Sequence, residues 1–256
     1  MTRQAFAIVI ALLWLGSEAR AEKLTVALST REVKIDSNFT GTSIVIFGVI
    51  VRDAGSVSRN SDYAIATVVL GPAESIVARR KDRFLGIWAN GASETIPGVP
   101  SFYAADSSGP LGEIAIPPLL RQYGIGFANI PAAYSGRGAF NDPEADEFWN
   151  AFIRLKQEAG LYEERPAGVT FIGDAIFRSS VAIPANVPIG RYRVAVYLFA
   201  GGTLLGEADD TVEVTKSGFE QYMSTASRSH SFIYGLACVC LALFTGWIAG
   251  VVFRRD

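Results

Sequence analysis

The chain has 256 residues, is half hydrophobic, and carries 23 basic and 25 acidic side chains for a formal net charge of −2. This near-neutral balance argues against nucleic acid or anionic lipid as the main binding target of the whole protein. Both cysteines, Cys238 and Cys240, lie in the last apolar stretch, so no disulfide is predicted in the remainder.

Residues 1–21 have the pattern of a secretory signal peptide. One arginine precedes an apolar run of 11 residues at 5–15, and Ala19-Arg20-Ala21 forms a small-x-small cleavage site. The run is too short to cross a bilayer as a helix, which needs about 20 residues. We therefore predict cleavage before Glu22 and export of the residues that follow.

Residues 22–100 predict a first β-sandwich module. Runs rich in β-branched residues alternate with turn signals, as in KLTVALS, TSIVIFGVIV, YAIATVVLG, ESIVARRK and RFLGIWANG. The last two runs predict a hairpin that turns at Lys81-Asp82. The spacing of the runs is typical of an immunoglobulin-like sandwich.

Residues 101–167 predict a strand at Ser101 to Ala105, loops, and a helical insertion. The helix, at about 142–159, has Asn141 or Asp142 as its N-cap and Pro143 in its first turn, and it stops at Gly160. Five apolar residues fall on one stripe at helical spacing, which predicts a buried face. They are Ala145, Phe148, Trp149, Phe152 and Leu155.

Residues 168–215 predict a second immunoglobulin-like β-module, with the runs VTFIG, AIFRSSVAIP, RYRVAVYLFAG and TLLGEADDTVEVTK. In VPIGRYRVAVYLF, Tyr192 follows a glycine turn, as in a strand whose tyrosine hydroxyl bonds the backbone at a corner. Residues 216–231 predict a stalk. The sequence leaves open whether the two modules share a core.

The chain ends in a predicted transmembrane helix at 232–253. Its 22 residues include no charged residue, asparagine, glutamine or proline, and the length fits a bilayer core. Tyr234 and Trp247 lie towards its two ends, where interfacial aromatics are common. Arg254 and Arg255 follow, and positive charge beside a span favours the cytoplasm, so residues 254–256 are a predicted cytoplasmic tail.

Within this span, Ala242, Gly246 and Gly250 recur every four residues. This spacing leaves one helix face smooth enough for another helix to approach closely. Apolar helices also show the pattern by chance. The functional interpretation is a contact with a membrane protein partner or with a second copy of the chain.

The exported part contains no cysteine and no histidine except His230, at its membrane boundary. Serine or cysteine triads therefore lack their base, and a zinc site lacks its usual ligands. Carboxylate pairs and serine-lysine arrangements are still available by residue type, so an enzyme that uses an acidic pair stays an alternative. The prediction is a protein with no catalytic residue, no metal site, no cofactor and no enzymatic activity.

A basic cluster comprises Arg79, Arg80, Lys81 and Arg83. Together these residues could bind an anion, a lipid headgroup or an acidic partner. Neighbours on a strand alternate between faces, so only some of the four can share a side. The competing interpretation is that these charges protect a strand end against edge pairing.

The segments STREVKIDSNFTGTSIVIFG, VVLGPAESIVARRKDRFLGIWANG, PGVPSFYAADSSGPLGEIA and VPIGRYRVAVYLFAGG, with the terminal span, resemble a transmembrane protein family of alphaproteobacteria. The resemblance covers nearly all of the chain after the signal peptide. It supplies no catalytic residues. It implies an accessory role beside permeases similar to sulfite exporters.

The leading hypothesis is a non-enzymatic periplasmic accessory protein, anchored in the bacterial inner membrane by one span and associated with an anion exporter of the sulfite type. In this topology the N-terminal domain is periplasmic and the C-terminus is cytoplasmic. The alternative is a membrane-tethered module that binds a small anion or another periplasmic ligand at the basic cluster. Nucleic acid is not an expected partner.

Overall fold

The computed structural model of the chain describes residues 22–51, 63–84, 86–132, 143–217, 227–228 and 231–252. Several predictions fall outside these residues. They concern the signal peptide at 1–21, the N-cap at Asn141 or Asp142, most of the stalk, and the tail at 254–256.

Most of the described residues lie in β-strands. Short helices occur in the middle of the chain, and two longer helices lie in its second half. The strands are β1 Lys23–Leu28, β2 Glu32–Ile35, β3 Gly41–Val51, β4 Tyr63–Leu70, β5 Ala73–Phe84, β6 Ile87–Pro100, β7 Tyr103–Ser107, β8 Tyr162–Pro166, β9 Val169–Phe171, β10 Ile176–Pro184, β11 Gly190–Ala200 and β12 Thr203–Lys216. The helices are α1 Leu111–Ile114, α2 Pro117–Gln122, a 3-10 turn at Phe127–Asn129, α3 Pro143–Glu158 and α4 Ser231–Val252.

Three sheets are formed by these strands. The first has four antiparallel strands in the order β1-β3-β10-β9. The second has six strands in the order β2-β12-β11-β4-β7-β8, with parallel pairing at both edges. The third is a two-stranded ribbon of β5 and β6. The prediction of a mainly β chain is confirmed, and the immunoglobulin-like class remains a prediction.

The predicted division into modules at 22–100 and 168–215 is wrong, because strands of the two segments pair with each other. In the four-stranded sheet β3 pairs with β10, and in the six-stranded sheet β4 pairs with β11. Each segment alone would leave these strand edges unpaired. A single hydrophobic core draws residues from both segments, and the two segments therefore fold together.

The core lies between the two large sheets. In β3, Ile44, Ile46 and Ile50 alternate with exposed residues and point inward. Gly48 also faces inward, between Ile46 and Ile50, and a Cβ added there would lie 2.0 Å from the ring of buried Phe177. Glycine in the middle of this strand is therefore needed for the close approach of that ring.

A buried carboxylate links the two large sheets. Asp106 in β7 is 2% exposed, and it accepts hydrogen bonds from Arg165 Nε at 2.9 Å and Nη2 at 2.7 Å. Ser179 in β10, on the opposing sheet, donates its hydroxyl to the same carboxylate. The hydrogen bond to Asp106 raises the pKa of the Arg165 guanidinium. The carboxylate is thus bonded from both sheets.

Tyr192 confirms the predicted corner in β11. Its ring is fully buried and its hydroxyl donates to the carbonyl of Pro188, four residues upstream. Burial raises the pKa of Tyr192, as it does the pKa of Tyr162 in β8. Burial also raises the pKa of Tyr197 in β11 to about 12. The fold therefore holds these phenols in their neutral form.

The predicted helical insertion is confirmed as α3, with Phe148, Trp149 and Phe152 buried. Leu155 was predicted on the same face, but it is 57% exposed. The face that packs on the sheet passes through Phe152 and Lys156, whose ammonium group reaches the carbonyl of Ser101 at 3.2 Å. Leu155 lies beside this face, and the side chain of Ala145 lies outside the described residues.

The C-terminal helix α4 spans 22 residues, close to the predicted range of 232–253. Many of its large apolar side chains are exposed, among them Phe232, Leu243 and Trp247. Among the residues that the structure describes, no helix meets the length and hydropathy needed to cross a membrane. Within α4 the side chains at positions 233, 237, 251 and 252 lie outside this description.

Candidate functional site

The ribbon of β5 and β6, called the arm here, projects from the body of the protein. At its base, Ile96 and Val99 are fully buried in the core. Towards its tip, Val77 is 53% exposed, Ile87 73% and Trp88 67%. In the outer half, residues 81–83 and 86–91 are all exposed. The arm therefore carries a large accessible surface.

The turn of the arm differs from the predicted one at Lys81-Asp82. The strands pair as far as Phe84 with Ile87, and Gly86 lies between them with a φ of +83°. A tight hairpin turn needs positive φ, which glycine adopts readily and lysine or aspartate much less so. The basic cluster consequently lies along one strand rather than around a turn.

Arg79, Lys81 and Arg83 share one face of the arm. They alternate with Arg80 and Asp82, and residues two apart on a strand point the same way. Cross-strand partners also share a face, which places Trp88 beside Arg83 and Asn90 beside Lys81. These five residues, called the basic face, are all exposed to solvent.

Arg80 lies on the other side of the arm. Its guanidinium contacts Asp82 at 3.3 Å and Glu147 of α3 at 3.4 Å. The bulge at Arg79 and Lys81 sets two residues of β6, Gly91 and Ala92, opposite this one arginine. The structure therefore brings together three of the four predicted basic residues and separates Arg80 from them.

Helix α3 holds the lower half of the arm in place. Lys156 Nζ lies 2.5 Å from Glu74 Oε1 near the base, and this lysine side chain is only 14% exposed. With the contact between Arg80 and Glu147, the helix touches the arm at two levels. The inner side of the arm is thus partnered, whereas the basic face is free of these contacts.

Trp88 and Ile87 were treated only as strand residues in the sequence. The sequence does contain a sign that Trp88 belongs to the basic face. A hairpin turn at Gly86 pairs Trp88 with Arg83 on the opposite strand. The predicted turn at Lys81-Asp82 concealed this relation. An exposed tryptophan beside basic residues makes the tip of the arm an amphipathic surface.

The predicted helix interface lies on α4. Ala242, Gly246 and Gly250 are spaced by four residues and therefore occupy one side of the helix. A Cβ added at Gly246 or Gly250 would meet no atom within 4 Å. Thr245 nearby donates its hydroxyl to carbonyls within the helix. This side of α4 is open to another helix.

The described part of the body includes two clefts away from the basic face. The larger, of about 760 Å³, lies between the start of β3, the end of α3, and β8 and β10, and it contains Glu163. The second, of about 450 Å³, contains Arg193 and Asp209, which are paired at 3.0 Å. Glu163 is likewise within 3.7 Å of Arg165. Among the described residues, no group of three histidine, cysteine or acidic side chains could hold a metal ion.

These observations define a mainly β protein with a projecting arm and an apolar C-terminal helix. The sequence profile of a family described as "Putative transmembrane protein (Alph_Pro_TM)" matches residues 23–255. The chain belongs to this family. The resemblance is confirmed to that extent, and the description fits an association with membranes. A comparison with curated proteins gave no match.

Two solved structures show weak similarity. Spo0M, a sporulation control protein from Bacillus subtilis, is 10% identical over 82% of this chain and 56% of its own, with a TM-score of 0.32. The chain thus spans about half the length of Spo0M. AggA, the major subunit of type I aggregative adherence fimbriae from Escherichia coli, is 9% identical over 77% of this chain and 97% of its own, with a TM-score of 0.27.

Proposed function

We propose that this chain is a non-enzymatic accessory protein of the bacterial inner membrane, anchored by α4 with its β-rich body in the periplasm. The observation that carries the proposal is the exposure of the large apolar side chains along α4. Membership of a transmembrane protein family supports it. The carboxylates in the two clefts are engaged by arginines, which favours a binding role over catalysis.

Counted over its full sequence, including the four positions whose side chains lie outside the structural description, α4 has the length and apolar character of an anchor. At about 1.5 Å per residue, its 22 residues extend about 33 Å, and a bilayer core is about 30 Å thick. Its side chains at 233, 237, 251 and 252 are isoleucine, alanine and two valines, so the sequence continues the apolar surface through them. Burying a large apolar side chain contributes about 1.5–3 kcal/mol. Lipid provides that burial for every side of the helix.

The partner we propose is a membrane permease, an anion exporter of the sulfite type, with a second copy of the chain as the other possibility. The small-residue side of α4 supports a helix contact, because van der Waals packing between smooth faces drives association in lipid. The body would then stand on the periplasmic side of the partner.

Purification from native membranes in mild detergent tests this proposal. A membrane protein, or a second copy of the chain, is expected to co-purify with the wild type. In the variant Gly246→Leu with Gly250→Leu, recovery is expected to fall at least about tenfold, because the bulk separates the helices by more than the range of dispersion contacts.

Ala237→Leu is the control for that experiment. Position 237 is nine residues from Gly246, which is half a turn around the helix at about 100° per residue, so recovery should stay at the wild-type level. A wild type that recovers no membrane protein and no second copy would contradict the proposed association. Full recovery with the double glycine variant would contradict this choice of helix face.

Capture of a small anion by the basic face is the second candidate. It is favoured by the alignment of Arg79, Lys81 and Arg83, which concentrates positive charge on one side. Alternate residues of a strand are about 6.6 Å apart, however, and all three side chains are exposed to water. This geometry suits an extended anionic surface better than one small anion.

A further inference from the structure

Positive charge is concentrated on the outer half of the arm although the whole chain is slightly acidic. Residues 79–90 contain four basic residues and one acidic residue, a local charge of +3, against −2 for the chain. Net charge therefore understates what this surface can attract. Three of the basic residues, Arg79, Lys81 and Arg83, point away from the body on the basic face.

The arm begins at the end of the body from which the chain leaves towards α4. Pro72, directly before β5, lies against Gly190, where an added Cβ would be 3.0 Å from Pro72 Cγ. Gly190 pairs with Val214, two residues before the end of β12. The base of the arm and the exit to α4 are consequently neighbours.

The reach of the arm matches the distance that the chain allows between body and membrane. The 12 residues of β5 extend about 40 Å at about 3.3 Å per residue. Fourteen residues separate Lys216 from Ser231, and they span about 21 Å as a helix or about 46 Å fully extended. Once α4 is in the bilayer, the tip of the arm can touch the headgroups.

The composition of the tip suits a membrane boundary. Trp88 and Ile87 are more than 60% exposed, and tryptophan favours the level of lipid headgroups. Each lysine or arginine near an anionic bilayer surface contributes about 1 kcal/mol to its attraction. Three such residues beside exposed apolar side chains combine charge attraction with shallow insertion.

We propose that the basic face binds anionic phospholipid headgroups of the membrane that holds α4, with Trp88 and Ile87 at the headgroup boundary. This inference rests on the anchoring proposed above. Lipid binding also explains why apolar side chains are exposed at the tip. If the basic residues served only to prevent edge-to-edge strand pairing in water, exposed apolar residues would not be needed there. An acidic protein surface would also match the charge, but the nearby exit towards α4 favours lipid.

Nitroxide quenching of a fluorescent label in proteoliposomes tests the proposal with the full chain. Cys238 and Cys240 are replaced by alanine, and one cysteine is placed at Ala89 in the tip. A second sample carries it at Thr203, beside the turn that joins β11 and β12 at the opposite end of the body. Vesicles of phosphatidylglycerol and phosphatidylcholine, or of phosphatidylcholine alone, carry a nitroxide on a fraction of headgroups.

With phosphatidylglycerol, the Ala89 label is expected to be quenched at least fivefold more than the Thr203 label. In the variant Arg79→Gln, Lys81→Gln, Arg83→Gln, this quenching should fall at least about fivefold, since one lost charge alone weakens the attraction about that much. A charge-matched variant on the body, Lys23→Gln, Arg31→Gln, Arg178→Gln, should keep it. Phosphatidylcholine alone should give little quenching.

Flotation of the same vesicles separates the two proposals. Protein that floats, with an Ala89 label quenched no more than the Thr203 label, would overturn lipid binding by the arm and leave the anchor intact. Equal quenching of the triple variant and the wild type would overturn the role of the basic face. Protein that does not float with the vesicles would overturn the anchor, and the inference with it.

Discussion

Replacing Asp106 with alanine is expected to lower the free energy of unfolding by about 2–4 kcal/mol, because the hydroxyl of Ser179 and the guanidinium of Arg165, whose side chain is 35% exposed, lose their buried acceptor. Asp106 is nearly inaccessible and accepts two hydrogen bonds from Arg165 and one from Ser179 of the other sheet. The loss is a large fraction of the stability of a typical domain, about 5–15 kcal/mol. Urea unfolding of the full-length protein in detergent, followed by near-UV circular dichroism, measures it.

The chain contains a matched control for this substitution. Arg193 and Asp209 form the same two-bond contact, at 3.0 Å for both bonds, but on the surface with about half of each side chain exposed. Exposed ion pairs contribute about 0.2–1 kcal/mol. Asp209→Ala should therefore cost much less than Asp106→Ala. Similar losses in the two variants would show that burial is not what makes the Asp106 contact important.

Alkaline conditions are expected to destabilise the body steeply above pH 10. Burial raises the pKa of Tyr162 and Tyr192, and that of Tyr197 to about 12, whereas an unfolded tyrosine titrates near 10. Since the native state favours the neutral phenol, this stabilisation is complete below pH 10 and is lost as the pH rises towards the native pKa. At pH 11 each buried tyrosine costs about 1.4 kcal/mol, or about 4 kcal/mol for the three.

Urea unfolding at pH 9 and pH 11 measures this loss, and tyrosinate absorbance near 295 nm reports the ionisation itself. Tyr197→Phe keeps the ring and removes one titrating group, so its loss between the two pH values should be about one third smaller. If all tyrosines ionised near pH 10 while near-UV circular dichroism stayed native, the phenols would not be held neutral by the fold.

Local features of the fold could be predicted from the sequence because they depend on neighbouring residues. The β-branched runs bounded by turn residues correspond to strands, and the amphipathic run after Pro143 corresponds to α3. Tyr192 bonds the backbone four residues away, so the glycine turn before it was sufficient to predict the corner. The basic residues on the arm were identified for the same reason.

Features that depend on distant residues could not be predicted in this way. The pairing of β3 with β10 joins segments more than 100 residues apart. The alternation of apolar and polar residues within each segment is the same whether the segments form two separate modules or one shared core. The turn lies at Gly86, and its position determines which residues of the two strands face each other. Because the turn was predicted a few residues too early, at Lys81-Asp82, the sequence did not show that Trp88 lies beside Arg83. Asp106 had one local signal, a carboxylate within the otherwise uncharged run SFYAADSSG.

The central claim is that α4 spans the inner membrane, with the body in the periplasm and the C-terminus in the cytoplasm. Its most direct test is whether a reagent outside the inner membrane can reach the residues before and after α4. In a variant with Cys238 and Cys240 replaced by alanine, one cysteine is placed at Thr203 or appended after Asp256. Bacteria with a permeabilised outer membrane are then treated with a membrane-impermeant maleimide. We expect the body position to react while the inner membrane is still intact, and the C-terminal position to react only after the inner membrane is opened. A C-terminal cysteine that reacts while the inner membrane is intact, or a chain found in the aqueous fraction without detergent, would contradict the proposed anchor and its orientation.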